Sequence, residues 1–294
     1  MPISSRSERD RWIKCLSSKG TIRAVAVSAK DTCAIITKRH HLSQDGTQAL
    51  SEAVVAGLLL ASFCKSNEKI NLNIQGQGWT RQAIVDANSE GQVRGYALER
   101  KLLERDNLPD IGPWGTGLMS VLRTKYDHGQ PYIGTVPLLT GHLAKDLTFY
   151  WVQSEQIPSA VGIQVSVDES GITLAEGFLI QAMPGATDED LSFIEEQFKS
   201  LSQMSIDSAV RETPLSLLSY LLQDFSFSIL EDKNIEFSCN CSKERVERSL
   251  KLIGNEELRS MAAEKHAFEI KCDFCAEVYW IDEKDLNRLI AANS

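Results

Sequence analysis

Two closely spaced cysteine pairs carry the strongest chemical signal in the chain. "SCNCS" at 238–242 holds Cys239 and Cys241, and "CDFC" at 272–275 holds Cys272 and Cys275, with 30 residues between the pairs. Four thiolates fill the tetrahedral shell of a closed structural zinc site. A C-x-x-C turn aims both sulfurs at one point, and residues i and i+2 of an extended C-x-C stretch share a side. The spacing therefore predicts one Zn2+ on Cys239, Cys241, Cys272 and Cys275. An iron–sulfur cluster suits the same four ligands, and four unrelated buried thiols are the plain alternative. His266, six residues before Cys272, is a competing ligand that reads better as an exposed residue at a helix end.

Such a metal has an energetic task. A domain near 60 residues buries only about 60% of its unfolded surface, so it is marginal alone. A structural zinc typically contributes about 10 kcal/mol or more. Oxidising the thiolates would consume the ligands, release the ion and melt the domain. The same residues thus support either a static zinc ribbon or a redox sensor. Residues 236–294 carry 9 Lys or Arg against 12 Asp or Glu, which is not the composition of a basic nucleic-acid-binding ribbon.

The elements that must position these thiols can be read from periodicity. "TIRAVAV" (21–27) and "KINLNIQ" (69–75) alternate as strands, and "RQAIVDA" and "QVRGYAL" flank "NSEG" (88–91) as a hairpin. Helices are predicted over 46–65, where "AVVAGLLLASF" reads as buried, and over 140–155, where Leu143, Leu147, Tyr150 and Trp151 share a face. Strands follow at "AVGIQVSVD" and "EGFLIQAM", before Pro184-Gly185 breaks the pattern. Thr187 and Asp190 then resemble a capping box ahead of a helix with Leu191, Ile194, Phe198 and Leu201 on one face. Thr213-Pro214 opens a second helix, and "FSFSIL" reads as a strand. Beyond 236 the pattern predicts a helix at "SKERVERSLKLIG", with Val246, Leu250 and Ile253 inward and Gly254 as its stop. A helix at "NEELRSMAAEK", two strands flanking the second cysteine pair and a closing helix complete it.

The expected fold is therefore α+β in three parts. These are a large N-terminal mixed α/β-sheet domain (1–186), a helical linker region packed on it (187–235), and a small C-terminal zinc-binding domain (236–294). The chain has 294 residues, 43% hydrophobic and 24% charged, as in an ordinary globular protein. Its net charge of −9 argues against a nucleic-acid partner. No run reaches the roughly 18 apolar residues of a membrane span, and the first residues lack the apolar core of a secretory signal. The cytoplasm is the expected compartment.

An enzyme is not indicated. Gly76-Gln-Gly78 lacks the third glycine of a dinucleotide loop, and no P-loop or G-x-S-x-G is present. Ser154, Glu155, His40, His41, His128 and His142 form no recognisable catalytic pattern.

Beyond the cysteines, "GQVRGY" (91–96), "GQPYIGTVPLLTGHLAKDLTFY" (129–150), "SEQIPSAVGIQV" (154–165) and "GFLIQAMPGA" (177–186) stand in fixed order. With the C-x-C…C-x-x-C spacing they resemble the redox-regulated holdase family known as heat shock protein 33, the 33 kDa chaperonins, over nearly the whole chain. The resemblance implies an ATP-independent chaperone that is inactive when reduced and zinc-bound. It implies that peroxide with heat, or hypochlorous acid, forms the disulfides Cys239–Cys241 and Cys272–Cys275 and releases zinc. The zinc domain and linker then unfold, the protein forms a homodimer, and unfolding client proteins are held. Leu191, Ile194, Phe198 and Leu201 are candidates for a client-binding surface that the linker hides and releases, with plain packing of the helix on the core as the alternative. Two features depart from the family pattern. Residues 1–12 read as an extension without a motif, and Cys15, Cys33 and Cys64 lie outside the signature, where buried, inert thiols are expected.

Overall fold

The structure is a computed structural model describing residues 3–100, 112–125, 130–201, 213–223 and 225–293, with side chains described for all of these except 3–9 and 197–201. Twelve strands and eight helices lie among the described residues. The chain parts into two compact units, Ser5–Phe237 and a smaller one built on Ser238–Ser294.

The larger unit is organised around one apolar helix. Helix α2 (Gln44–Ala61) starts at Ser43, whose hydroxyl accepts the Gly46 N–H, and every residue from Ala53 to Ala61 is buried. A helix apolar on all sides must be surrounded, and the strands provide this. The hairpin strands β3 (Glu68–Gly76), β4 (Thr80–Asn88) and β5 (Gln92–Glu99) contact α2, as do β2 (Ile22–Ser28), β8 (Ser159–Asp168) and β9 (Gly171–Ala182). Gly57 permits the closest approach: a Cβ there would stand 2.7 Å from Val85 Cγ1. Helix α3 (Leu143–Gln153) buries Leu143, Leu147, Tyr150 and Trp151, the face expected from its spacing.

With β1 (Ile3–Ser17), β6 (Gly117–Lys125), β7 (Tyr132–Leu138) and β10 (Phe227–Cys239), the strands form one sheet in the order β7-β6-β3-β4-β5-β10-β1-β2-β9-β8. Residues 1–12 are therefore not a featureless extension. From Ile3 onward they are strand, and Arg11 to Leu16 pair antiparallel with Arg23 to Ser28. Helix α1 (Lys30–Lys38), absent from the sequence reading, takes its N-terminal cap from β1: the Asp10 carboxylate accepts the N–H groups of Asp31 and Thr32.

β10 joins two half-sheets. Among the described residues it pairs with β5, in parallel, at Glu236↔Gln92 and Phe237↔Val93. Its charged middle is tied on both sides, with Arg11–Asp232 at 2.7 Å, Lys14–Glu231 at 2.7 Å and Lys233 Nζ donating to Ser89 O at 2.6 Å. Gly91, at the hairpin turn, has φ +78°, and a Cβ there would lie 2.2 Å from Asn234 O. Gly91→Ala should destabilise this junction by roughly 1–3 kcal/mol through backbone strain and the clash. A lowered Tm, with faster amide exchange at 234–237, checks it.

Strands β2 and β9 are buried on both faces, so their apolar runs are nearly continuous rather than alternating. The face away from α2 is covered by α4 (Asp188–Leu201) and α5 (Pro214–Leu221). Ile194, Leu217, Leu218, Leu221 and Leu222 pack there with Ile13, Ile22, Ala24, Phe178 and Ile180. Each fully buried side chain of this kind contributes about 1.5–3 kcal/mol of transfer free energy. The Thr187–Asp190 cap is present: the Asp190 N–H donates to Thr187 Oγ1, and the Thr187 N–H donates to the Asp190 carboxylate.

Candidate metal centre

The smaller unit contains α6 (Lys243–Lys251), α7 (Asn255–Ala263), the hairpin β11 (Phe268–Lys271) and β12 (Val278–Ile281), and α8 (Glu283–Ala292). Its apolar core is small: Leu258, Ile281, Leu286 and Leu289 are fully buried, with Val246 and Leu250 among the partly buried neighbours. Ile253 does not turn inward as its spacing suggested. It is 46% exposed and its neighbour Leu252 is 87% exposed, because the helix ends at Lys251. Gly254, with φ +90°, serves as the N-cap of α7. Helix α6 buries no residue completely and is tied to α8 by Lys243–Asp285 and Glu247–Arg288, both at 2.6 Å. Pairs with one solvent-exposed partner are worth only about 0–1 kcal/mol each, so they add little to the small apolar core.

The four cysteines do come together. Cys239 ends β10, Cys241 follows it, and Ser242 caps α6 by accepting the Arg245 N–H. Cys272 and Cys275 sit on the turn between β11 and β12, closed by Cys272 N–H to Glu277 O at 2.9 Å and Ala276 N–H to Cys272 O at 2.8 Å. Ala276 takes φ +58° there. All four Sγ atoms lie within 4.8 Å of one another, with Cys239–Cys272 at 3.9 Å and Cys241–Cys275 at 3.1 Å. Zinc–sulfur bonds of about 2.3 Å in a tetrahedron require sulfurs about 3.8 Å apart, so the donor set fits one four-coordinate ion. Cys239 and Cys275 are buried and the other two are half-buried.

Without a cation Cys272 and Cys275 resist ionisation. The neighbouring Cys239 sulfur, then burial, raises the pKa of Cys272, and burial followed by the contact with Cys241 pushes Cys275 up to about 12. A divalent ion removes that penalty by drawing the charge onto itself. The Tyr279 hydroxyl donates to Cys241 Sγ at 3.1 Å, a contact the spacing of the cysteines did not reveal.

The remaining candidates are placed elsewhere. His266 is exposed and stands 3.7 Å from Glu264, outside the thiol cluster. Cys15 and Cys33 are buried, as expected, whereas Cys64 is only half-buried. Burial pushes Cys15 and Cys64 up to about 11, and Cys33 further, so all three stay protonated and unreactive near neutral pH. Ile194 is buried and Leu191 half-buried, while the side chains of Phe198 and Leu201 lie outside the described set. Ser154 caps the end of α3 and Glu155 accepts the Tyr150 hydroxyl at 2.8 Å. His128 lies outside the described residues. Among the described residues no helix is long and apolar enough to cross a membrane.

A family model described as Hsp33 protein matches residues 10–282. The 33 kDa chaperonin of Geobacter sp. strain M21 is 38% identical over 96% of this chain and 97% of its own, and that of Citrifermentans bemidjiense is 37% identical over the same shares. The crystal structure of the 33 kDa chaperonin (heat shock protein 33 homolog) from Thermotoga maritima superposes with a TM-score of 0.84 at 27% identity, covering 97% of this chain and 99% of that one. The matched span includes the whole four-cysteine motif, and with that agreement the chain belongs to the Hsp33 family, whose members are chaperones and not enzymes.

Proposed function

We propose that this chaperone is a redox-regulated, ATP-independent holdase, switched by one Zn2+ bound to Cys239, Cys241, Cys272 and Cys275. The observation that carries the reading is the pairing of a complete four-thiol cluster with a small apolar core of four fully buried side chains. In the reduced state the ion would hold the two cysteine pairs together and the protein is inactive.

A peroxide or hypochlorous acid supplies the oxidising equivalents. A thiolate attacks peroxide oxygen, the O–O bond breaks, and a sulfenic acid and hydroxide result; a second thiolate then attacks that sulfur and expels hydroxide. Two such reactions give Cys239–Cys241 and Cys272–Cys275 and consume all four ligands. All four sulfurs lie within 4.8 Å of one another, so each cysteine has its pair partner in reach, and consuming the ligands as disulfides ties bridge formation to release of the ion.

In this account 1–186 is the sheet domain, 187–235 the linker layer and 236–294 the redox-switch domain. When the last melts, α4 and α5 loosen and uncover apolar surface on both sides of their contact. That surface includes Leu191 and Ile194 on the helix and Ile22, Ala24, Phe178 and Ile180 on the sheet, with Phe198 and Leu201 as further client-binding candidates from their spacing. Unfolding clients bind there, the oxidised protein dimerises, and the cytoplasm is the setting. The sheet residues could have been suspected from "TIRAVAV" and "EGFLIQAM", whose near-continuous apolar runs demand cover on both faces.

Light scattering from a heat-unfolding client tests the proposal. Protein treated with peroxide at elevated temperature should suppress aggregation, and the zinc-loaded reduced protein should not. Reductant with zinc should restore the inactive form. Equal behaviour of both samples would reduce the four cysteines to a structural clamp. Peptide mapping under non-reducing conditions should show the two within-pair bridges rather than 241–275.

A further inference from the structure

We propose that Tyr279 is a positioning residue that restrains the Cys241 thiolate and tempers the reactivity of that sulfur. The inference rests on the four-cysteine metal reading and adds to it a residue that no spacing rule identifies.

The turn between β11 and β12 supplies backbone donors to the other pair. Cys272 receives the N–H groups of Phe274 and Cys275, and Cys275 receives that of Glu277, as the turn between β11 and β12 dictates. No side-chain substitution removes them. Cys241, on the short segment between β10 and α6, instead takes a hydroxyl from β12: Tyr279 Oη donates to its Sγ at 3.1 Å. Tyr279 lies opposite Ile270 in the β11–β12 ladder, so the register of that hairpin fixes where the hydroxyl points. Ile270 packs against the small core and Tyr279 is half-buried, which leaves the ring little freedom.

A hydrogen bond to a metal-bound thiolate fixes the orientation of the sulfur toward the ion, and outer-shell partners that orient a ligand in this way generally support metal affinity. It also lowers the sulfur's nucleophilicity, because the lone pair that accepts the hydrogen bond is the one that attacks an electrophile. When Cys241 attacks a peroxide, sulfur gives up two electrons, an S–O bond forms, the O–O bond breaks and hydroxide departs. The Tyr279 hydroxyl must release the lone pair for this to occur. It is therefore a brake on the first chemical step and a support for the bound ion.

The test compares the full-length chain with its Tyr279→Phe variant, both reduced and loaded with Zn2+ or Co2+. The ring and its packing are kept and only the hydroxyl is lost. A brief pulse of iodoacetamide, resolved by peptide mass, should label Cys241 several-fold faster in the variant, with the other three cysteines little changed among singly modified molecules. The sulfur-to-cobalt charge-transfer band should shift, and metal affinity should fall about 10–100-fold. An unchanged band with an unchanged labelling order overturns the inference while leaving the metal centre intact. Parallel acceleration at all four cysteines with a lowered Tm overturns it too, since that is loss of packing alone. A wild-type chain that takes up neither ion overturns the metal reading and this inference together.

Discussion

Removing the metal from the reduced protein with a thiol-competing chelator is expected to unfold residues 238–293 and leave residues 5–237 folded. The non-metal support of that unit includes four fully buried side chains with partly buried neighbours such as Val246, Leu250 and Phe268, and ion pairs tying α6 to α8. Trp280 is 56% exposed on β12, so even its largest aromatic contributes little to the core. A structural zinc is worth about 10 kcal/mol or more at neutral pH, larger than any single contact in the unit. Cys272→Ser should reproduce the loss with zinc in solution, because it removes one ligand and leaves an incomplete three-sulfur shell. Circular dichroism should report the loss of α6, α7 and α8, and limited proteolysis should cut between 240 and 290. A unit that stays helical and protease-resistant after complete metal removal would show that its packing suffices.

The second large effect concerns the layer over the sheet. Replacing Ile194 and Leu218 together with Asp should give holdase activity in the reduced, zinc-loaded protein. Both side chains are buried against Ile22, Phe178 and their neighbours. Removing such a side chain costs roughly 2–5 kcal/mol, and a carboxylate in its place adds the penalty of burying a charge. The helices can avoid that penalty only by leaving the sheet. Zinc content measured on the same sample keeps the result interpretable. A soluble, zinc-replete double variant that does not slow client aggregation would mean that α4 and α5 cover no client-binding surface.

What could be read from the sequence divides along a physical line. Elements whose side chains answer to their own periodicity were legible: α2 from its apolar run, α3 from Leu143, Leu147, Tyr150 and Trp151, and the β3–β4–β5 meander from alternation about turns. Elements stabilised by distant partners were not. β1 begins with charged and polar residues, and part of their balance comes from Asp232 and Glu231 more than 200 positions away. For the same reason β10 reads as a strand only over "FSFSIL", although it continues through Glu231, Asp232 and Lys233 to Cys239. Helix α1 has no local side-chain cap, and its cap, Asp10, belongs to another strand.

The four-cysteine cluster shows the same division. Thiol spacing alone named Cys239, Cys241, Cys272 and Cys275, because a C-x-C and a C-x-x-C pair aim sulfurs without help from the rest of the fold. Tyr279 needed the β11–β12 register, and the inward or outward turn of Ile253 depended on where α6 stops.

The most direct measurement follows three quantities in one peroxide time course at elevated temperature: zinc released to a chromogenic chelator, thiols remaining among the four cysteines, and suppression of client aggregation. The account predicts that one zinc per chain leaves as four thiols disappear, and that holdase activity rises with or after that release and never before it. Full activity with zinc still bound, or complete zinc release with no gain of activity, would contradict it.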